Sequence, residues 1–432
     1  MDSLQPAPRN PDITADITAD VAVIGAGIIG LGIAHEARRS GRSVVVIDPA
    51  PASGATYAAA GMLAPVSELH YQEEGLLELM LASSRLWPGF ADGLQSAEAG
   101  TGYRTTPTLA VGADAADRRA FADLRDVQLG LGLDIQALPL REARDREPLL
   151  SPQISCAFDI PGDHQVDPRR LAVAILERLG RHAAGDRSWV TGAEEGFLLN
   201  TAASRLLWEE GAVSGVLLAD GTRVVATETV VANGLAAAAL DDLPEGLALP
   251  LRPVYGDILR LRVPRHLDPL LTATVRGLVR GVPVYIVPRD DGTVVIGASQ
   301  REDRPSSASA VSAGGVYQLL RDAQVLLPAV AELELLECTA RARPGTPDNA
   351  PLLGRVRAGG SGAGSPDADG GDVRGLIVAT GFFRHGVLLT PAAASITVGL
   401  MDGRFDERWT KFRPDRFPNP THRAPATIKE HA

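Results

Sequence analysis

The sequence predicts an α/β fold that opens on a βαβ unit, and three observations carry the prediction. An apolar run from Val21 to Ile24 reads as a buried strand and enters Gly25-Ala26-Gly27-Ile28-Ile29-Gly30. A helix-like segment follows as far as Gly41, and a second apolar run, Val44 to Ile47, ends on Asp48, 18 residues past Gly30. Strand–glycine turns of the same kind recur at Val230-Val231-Ala232-Asn233-Gly234 and at Gly375 to Gly381.

The first unit has the complete context of a dinucleotide fingerprint: strand before, helix after, carboxylate at the far end. Gly25 allows the tight turn. Gly27 lets the backbone approach a pyrophosphate lying on the helix N-terminus, which Ile28 and Ile29 open. Gly30, with Gly32 and Ala34, lets that helix pack close to the sheet, and Asp48 is placed to accept hydrogen bonds from ribose hydroxyls. An ordinary buried βαβ turn is the bland alternative. The recurrences near 230 and 380 make this Rossmann-like domain discontinuous, with intervening strand-rich pieces as a second layer.

Bulk properties narrow the function classes. A chain of 432 residues exceeds one small core, and 45% hydrophobic with 22% charged residues is ordinary for a globular protein. A net charge of −11 argues against a nucleic-acid partner. No apolar run reaches membrane-spanning length and no signal pattern precedes Asp20, so the expectation is a cytoplasmic protein behind a disordered lead over residues 1–17. Cys156 and Cys338 are far apart, which fits reduced thiols and no metal site. Lys411 and Lys429 are the only lysines, which disfavours Schiff-base chemistry.

Further elements follow in order. The segment from Ala58 to Gly89 begins small and apolar, then turns helical around Leu76, Leu77, Leu79 and Met80. Residues 103–149 alternate strand-like and charged helical pieces, such as Arg118 to Arg125. Asp167 caps a helix with Pro168 in its first turn, running to about Arg181. Residues 213–232 read strand, Asp220-Gly221 turn, strand. Strands are predicted at 256–263, 282–287 and 293–297, a helix at 311–326, a surface loop at 358–372, a last strand at Gly375 to Ala379 and a helix from Pro391.

These segments together resemble the D-amino-acid-oxidase family of FAD enzymes, and within it the glycine-oxidising branch, from about residue 20 to 400. The matching stretches beyond the fingerprint are Ala58-Ala59-Ala60-Gly61-Met62-Leu63-Ala64-Pro65, Asp163 to Leu171, Pro253-Val254-Tyr255-Gly256-Asp257, Tyr285 to Arg289, Gly297-Ala298, Arg343 to Asp348 and Gly381 to Pro391. The resemblance implies non-covalent FAD and two domains. The FAD-binding part spans residues 18–105, 151–247 and 340–413, an antiparallel-sheet α+β substrate domain spans 106–150 and 248–339, and 414–432 form a polar tail.

What the resemblance implies for the site is specific. Arg343 stands where the family places its carboxylate-binding arginine, and a planar guanidinium suits that task. A surface arginine beside a turn is the alternative. Tyr285 matches a tyrosine that contacts substrate, or is a core strand tyrosine. Arg384 lies near both flavin and substrate, with a purely FAD-binding or salt-bridging role also open. Ala60, Gly61 and Met62 offer small side chains along the cofactor, or merely a tight helix–sheet contact. Phe382, Phe383, Arg384, His385, Gly386, Val387 and Leu388 present backbone N–H groups near the flavin pyrimidine, where they would stabilise the reduced anion. His385 is a pocket residue, a flavin neighbour or a structural histidine. Pro283, Phe382, Phe383, His385 and Tyr255 depart from the family pattern around the pocket wall.

The implied activity is oxidation of glycine, sarcosine or small D-amino acids by oxygen, giving an oxo acid, ammonia and hydrogen peroxide. The implied partners are the small amino acid, oxygen, a homo-oligomer and enzymes of thiazole synthesis that take over the glycine imine. Alternatives are an oxidase of sarcosine or another D-amino acid, a dehydrogenase that uses an electron carrier, and a flavin-binding protein without turnover.

Overall fold

A computed structural model of the chain describes residues 16–69, 73–95, 98, 100–185, 197–302, 307–358 and 371–418. Ile17–Ile24 (β1) pairs in parallel with Val44–Ile47 (β2) on one side and Arg223–Val231 on the other. Leu376–Thr380 extends the parallel run beyond Arg223–Val231. Leu352–Gly354 closes that edge antiparallel, and Leu198–Leu199 closes the other. Both faces of this sheet are covered, which is why its central strands read as unbroken apolar runs. Val21 and Val23 pack on one side with Leu31 and Ile33 of the Ile28–Arg39 helix (α1), while Ala22 and Ile24 pack on the other with Val216 and Val231. Ala212–Leu218 and Ala203–Glu209 continue antiparallel from Arg223–Val231.

The second sheet has eight strands, ordered Glu334–Gly345, Arg252–Arg262, Thr293–Gly297, Val282–Pro288, Val275–Val279, Thr108–Gly112, Cys156–Ile160 and Gln136–Ala137. Every neighbouring pair is antiparallel except Val275–Val279 with Thr108–Gly112. One face buries Leu259, Val275, Val284, Ile286 and Ile296 against Leu319, Ala323 and Leu326 of the helix Ala313–Leu326. The opposite face turns toward the first sheet.

The N-terminal fingerprint folds as a strand, turn, helix and strand in the expected order. Pro168–Gly185 is helical, and Asp167 Oδ1 accepts from the backbone N–H of Arg169 and Arg170 at 2.9 and 3.3 Å. The second sheet also takes strands near the expected domain divisions. Cys156–Ile160 pairs along its whole length with Thr108–Gly112, and Glu334–Gly345 is one strand running through the division at 340. Ile17, assigned to the lead, already pairs with Val224. Residues 1–15 of the lead, the glycine-rich stretch at 359–370 and the tail from 419 lie outside the described residues, while Arg416 is tied to Asp348 at 2.9 Å.

The last helix differs from expectation. It spans Gly386–Met401 and so begins five residues before Pro391. A proline inside a helix removes one ladder N–H and crowds the carbonyl four residues back. Side chains of the helix Glu74–Asp92 bridge the next step of the ladder, between Leu388 O and Ala392 N. Ser83 Oγ and Trp87 Nε1 donate to Leu388 O at 2.7 and 2.8 Å, and Ser83 Oγ accepts from Ala392 N at 3.2 Å. No local sequence pattern announces contacts from residues more than 300 positions away.

Candidate active site

A cavity of about 710 Å³ runs between the two sheets, within the span of roughly 300–1,000 Å³ typical of ligand clefts. The first sheet's opening turn lines it with Gly25, Gly27, Ile28, Ile29 and Asp48, and the second sheet with Tyr285 and Arg343; Ala60, Gly61, Met62 and the run from Phe382 to Leu388 complete the lining. Gly30 does not line it. A Cβ there would strike Gly25 O, so Gly30 instead seats α1 against the turn.

The dinucleotide part is built by backbone. Gly25 has φ of 108°, and a Cβ would press on the backbone of Ala232 and Asn233. Ile28 N donates to Thr56 Oγ1 at 2.9 Å, so one helix N–H already has a partner. Asp48 accepts from Ala26 N at 2.7 Å and Ala50 N at 2.8 Å, each through a different oxygen. Each oxygen retains lone-pair capacity for a ribose hydroxyl. Gly61, with φ of 76°, passes so close to Val166 O that no side chain fits. Arg289 fixes this stretch by donating to Ala60 O, to Gln165 Oε1 at 3.0 Å and to Val166 O at 3.1 Å. The turn, the helix N-terminus and the terminal carboxylate fit an ADP-containing cofactor such as FAD, with the Phe382–Leu388 run further along the wall.

The second sheet's part is built by strand register. Arg276 lies opposite Tyr285, Tyr285 opposite Gly297, and Gly297 opposite Ile258, so these residues share one row across four strands. Gly297 leaves room for the Tyr285 hydroxyl, where a Cβ would collide with it. Gly256, on the strand beside Glu334–Gly345, does the same for the guanidinium of Arg343. Burial pushes the Tyr285 phenol up to about 12 against the opposing pull of Arg343, so the hydroxyl stays protonated through the neutral range.

Four arginines line the cavity. Arg276 meets Glu68, and Arg384 meets Glu68 at 3.1 Å as well as Glu73. Arg341 donates to Ser53 O at 2.8 Å and stands over the Tyr57 ring. The guanidinium of Arg343, alone of the four, makes no hydrogen bond or ion pair among the described residues. Its alternative as a surface arginine does not describe this position, and Arg384 sits in an ion-paired network. His385 is buried at the helix start. Phe383 has φ of 47° and lies beneath Arg384.

Sequence reasoning passed over Glu68, Arg276, Thr56 and Arg289. Arg289 stood inside a matched stretch without a role. Glu68 and Arg276 are 208 positions apart and meet because the turn that carries Glu68 packs against the second sheet. Asp163, fully buried, accepts from Val66 N at 2.9 Å and Ser67 N at 2.8 Å and so anchors the residues just before Glu68. Burial raises its carboxyl to about 6. Among the described residues no group of three or more His, Cys, Asp or Glu side chains is placed to hold a metal, and no helix is long and apolar enough to cross a membrane.

Known proteins are similar to this chain in sequence and architecture. The family model described as FAD dependent oxidoreductase matches residues 20–400. Glycine oxidase of Geobacillus kaustophilus is 32% identical over 390 residues, covering 89% of this chain and 93% of that protein. A crystal structure of glycine oxidase from the same organism superposes with a TM-score of 0.76 at 28% identity, covering 93% of this chain and all of that one. The bifunctional protein ThiO/ThiG of Trichormus variabilis is 29% identical across 93% of this chain, which spans 55% of the fused protein.

Proposed function

The chain belongs to the FAD dependent oxidoreductase family and is an FAD-dependent amino acid oxidase, and from that premise we propose that it deaminates glycine, with sarcosine and small D-amino acids as further substrates. The products are glyoxylate, or the corresponding oxo acid, with ammonia and hydrogen peroxide. One observation carries this reading. Arg343 is a cavity arginine with no partner among the described residues, facing a protonated Tyr285 hydroxyl, as a small carboxylate requires.

Arg343 takes the carboxylate through its planar fork, and Tyr285 donates to the same group. Anchoring the carboxylate leaves only the carbon–nitrogen end free to turn toward the Phe382–Leu388 wall. Bound FAD supplies the two-electron acceptor and the route to oxygen. The N-terminus of the Gly386–Met401 helix, lining this part of the cavity, adds positive potential there. Water then hydrolyses the imine to oxo acid and ammonia. Ala58, Ala60 and Ile258, packed in one buried apolar cluster, give this part of the cavity an apolar wall.

The test is peroxide formation in air across glycine, sarcosine and D-alanine, paired with flavin bleaching under anaerobic conditions. Bleaching without peroxide would point to a carrier-linked dehydrogenase, and no bleaching would overturn the reading. The proposal extends to supply of glycine imine for the thiazole of thiamine, supported by the likeness to the two-function ThiO/ThiG protein. A deletion strain should need thiazole for growth. Normal growth without it would remove this extension and leave the oxidase intact.

A further inference from the structure

Besides Arg343, and Arg341 which is tied to Ser53, two guanidinium groups reach the cavity wall, those of Arg276 and Arg384. Two carboxylates line the cavity among the described residues. Asp48 belongs to the dinucleotide turn, which leaves Glu68 at the substrate end. Its oxygens are divided between the two arginines: Oε1 meets Arg276 Nη1, and Oε2 meets Arg384 Nε at 3.1 Å. Arg384 also holds Glu73 through both terminal nitrogens. Arg384 therefore has two carboxylate partners and Arg276 has one.

This asymmetry determines what Glu68 does for the site. Without it, Arg384 keeps Glu73, while Arg276 is left as a nearly buried cation, its side chain 12% exposed, directly across from Tyr285. A desolvated, unpaired guanidinium recruits an anion strongly. With Glu68 present, a second substrate carboxylate meets like charge and an arginine already taken.

We propose that Glu68 is a specificity-determining residue that keeps Arg276 occupied and thereby restricts the site to substrates with a single carboxylate. The excluded class is glycine carrying a second carboxylate, on nitrogen as in iminodiacetate or on carbon as in D-aspartate. Specificity here comes from a repulsive element placed against the wrong substrate as much as from attraction to the right one. The inference rests on the reading that Arg343 holds the first carboxylate.

The experiment compares kcat/KM for iminodiacetate and glycine in the FAD-loaded wild type, Glu68→Gln, Glu68→Ala and the double variant Glu68→Gln with Arg276→Met. The iminodiacetate-to-glycine ratio should rise about tenfold or more in both single variants and fall back in the double variant. A second readout needs no turnover. Malonate should raise Tm of Glu68→Gln more than that of wild type, whereas acetate should shift both alike. An unchanged ratio, a rise that survives loss of Arg276, or insolubility of both single variants would overturn the proposal. If wild type oxidises neither glycine nor sarcosine, the substrate reading falls, and the malonate and acetate shifts still judge Glu68.

Discussion

Arg343 and Tyr285 owe their chemistry to two absent side chains. Glycine at 256 and at 297 gives the guanidinium and the hydroxyl their places on the sheet, and any Cβ would displace them. Replacing Arg343 with alanine should leave FAD content intact and lower kcat/KM by the equivalent of about 2–5 kcal/mol, the range for one partner of a desolvated charge pair. Arg343→Lys should recover only part, because an ammonium lacks the planar fork. Steady-state kinetics beside flavin absorbance checks both, and near-normal kinetics in the alanine variant would pass the carboxylate to another group. Tyr285 makes a separate prediction. Its phenol titrates near 12, so it remains a donor through neutral and moderately alkaline pH. Tyr285→Phe should lower kcat/KM roughly tenfold, as for a hydrogen bond to a charged group, without altering the shape of the pH profile between about pH 7 and 10. A limb that vanishes in the variant would show Tyr285 titrating in that window.

Among elements, the loop before Glu68 depends on one buried carboxylate. Asp163 is raised from 3.8 to about 6 in the folded protein, so between those values the native state holds a proton that the unfolded chain has released. Its contribution is therefore fully present below about pH 4 and is lost as pH rises through 6. Asp163→Asn lacks this titration. The stability of wild type relative to the variant should fall by about 3 kcal/mol across that interval, at 1.4 kcal/mol per pK unit. Denaturant unfolding at several pH values measures it, and a pH-independent gap would refute the assignment. The same loop shows what sequence conveys and what it hides. The βαβ turn was legible because Gly25, Gly27 and Asp48 act through local backbone geometry over a short span. The stretches that carry Arg343 and Tyr285 were legible as matches, and both residues line the cavity. The Arg276–Glu68 pair and the early start of the Gly386–Met401 helix were not legible, because the packing of a turn on the second sheet and side chains from a distant helix create them.

For the whole molecule, the site exists only where the two sheets meet: one supplies the dinucleotide turn, the other Tyr285 and Arg343. FAD bound in this cavity without a covalent link should be released by acid precipitation into the supernatant; yellow colour in the pellet would show a covalent link. Substrate size follows from the same closure. Once the carboxylate is on Arg343, anything attached to Cα must fit between the row Arg276–Tyr285–Gly297 and the wall formed by Phe382 and buried His385. Pro283, exposed yet lining the cavity, borders that space from the strand Val282–Pro288. Glycine and sarcosine place nothing larger than hydrogen at the Cα side positions. They should therefore give higher kcat/KM than D-alanine and D-proline, and D-phenylalanine should rank last. L-amino acids should fail, because with carboxylate and Cα–H both fixed the side chain of the wrong hand takes the position of a hydrogen. One kcat/KM series over these substrates decides the matter. If D-phenylalanine outranks glycine, the glycine reading fails while membership of the oxidase family stands.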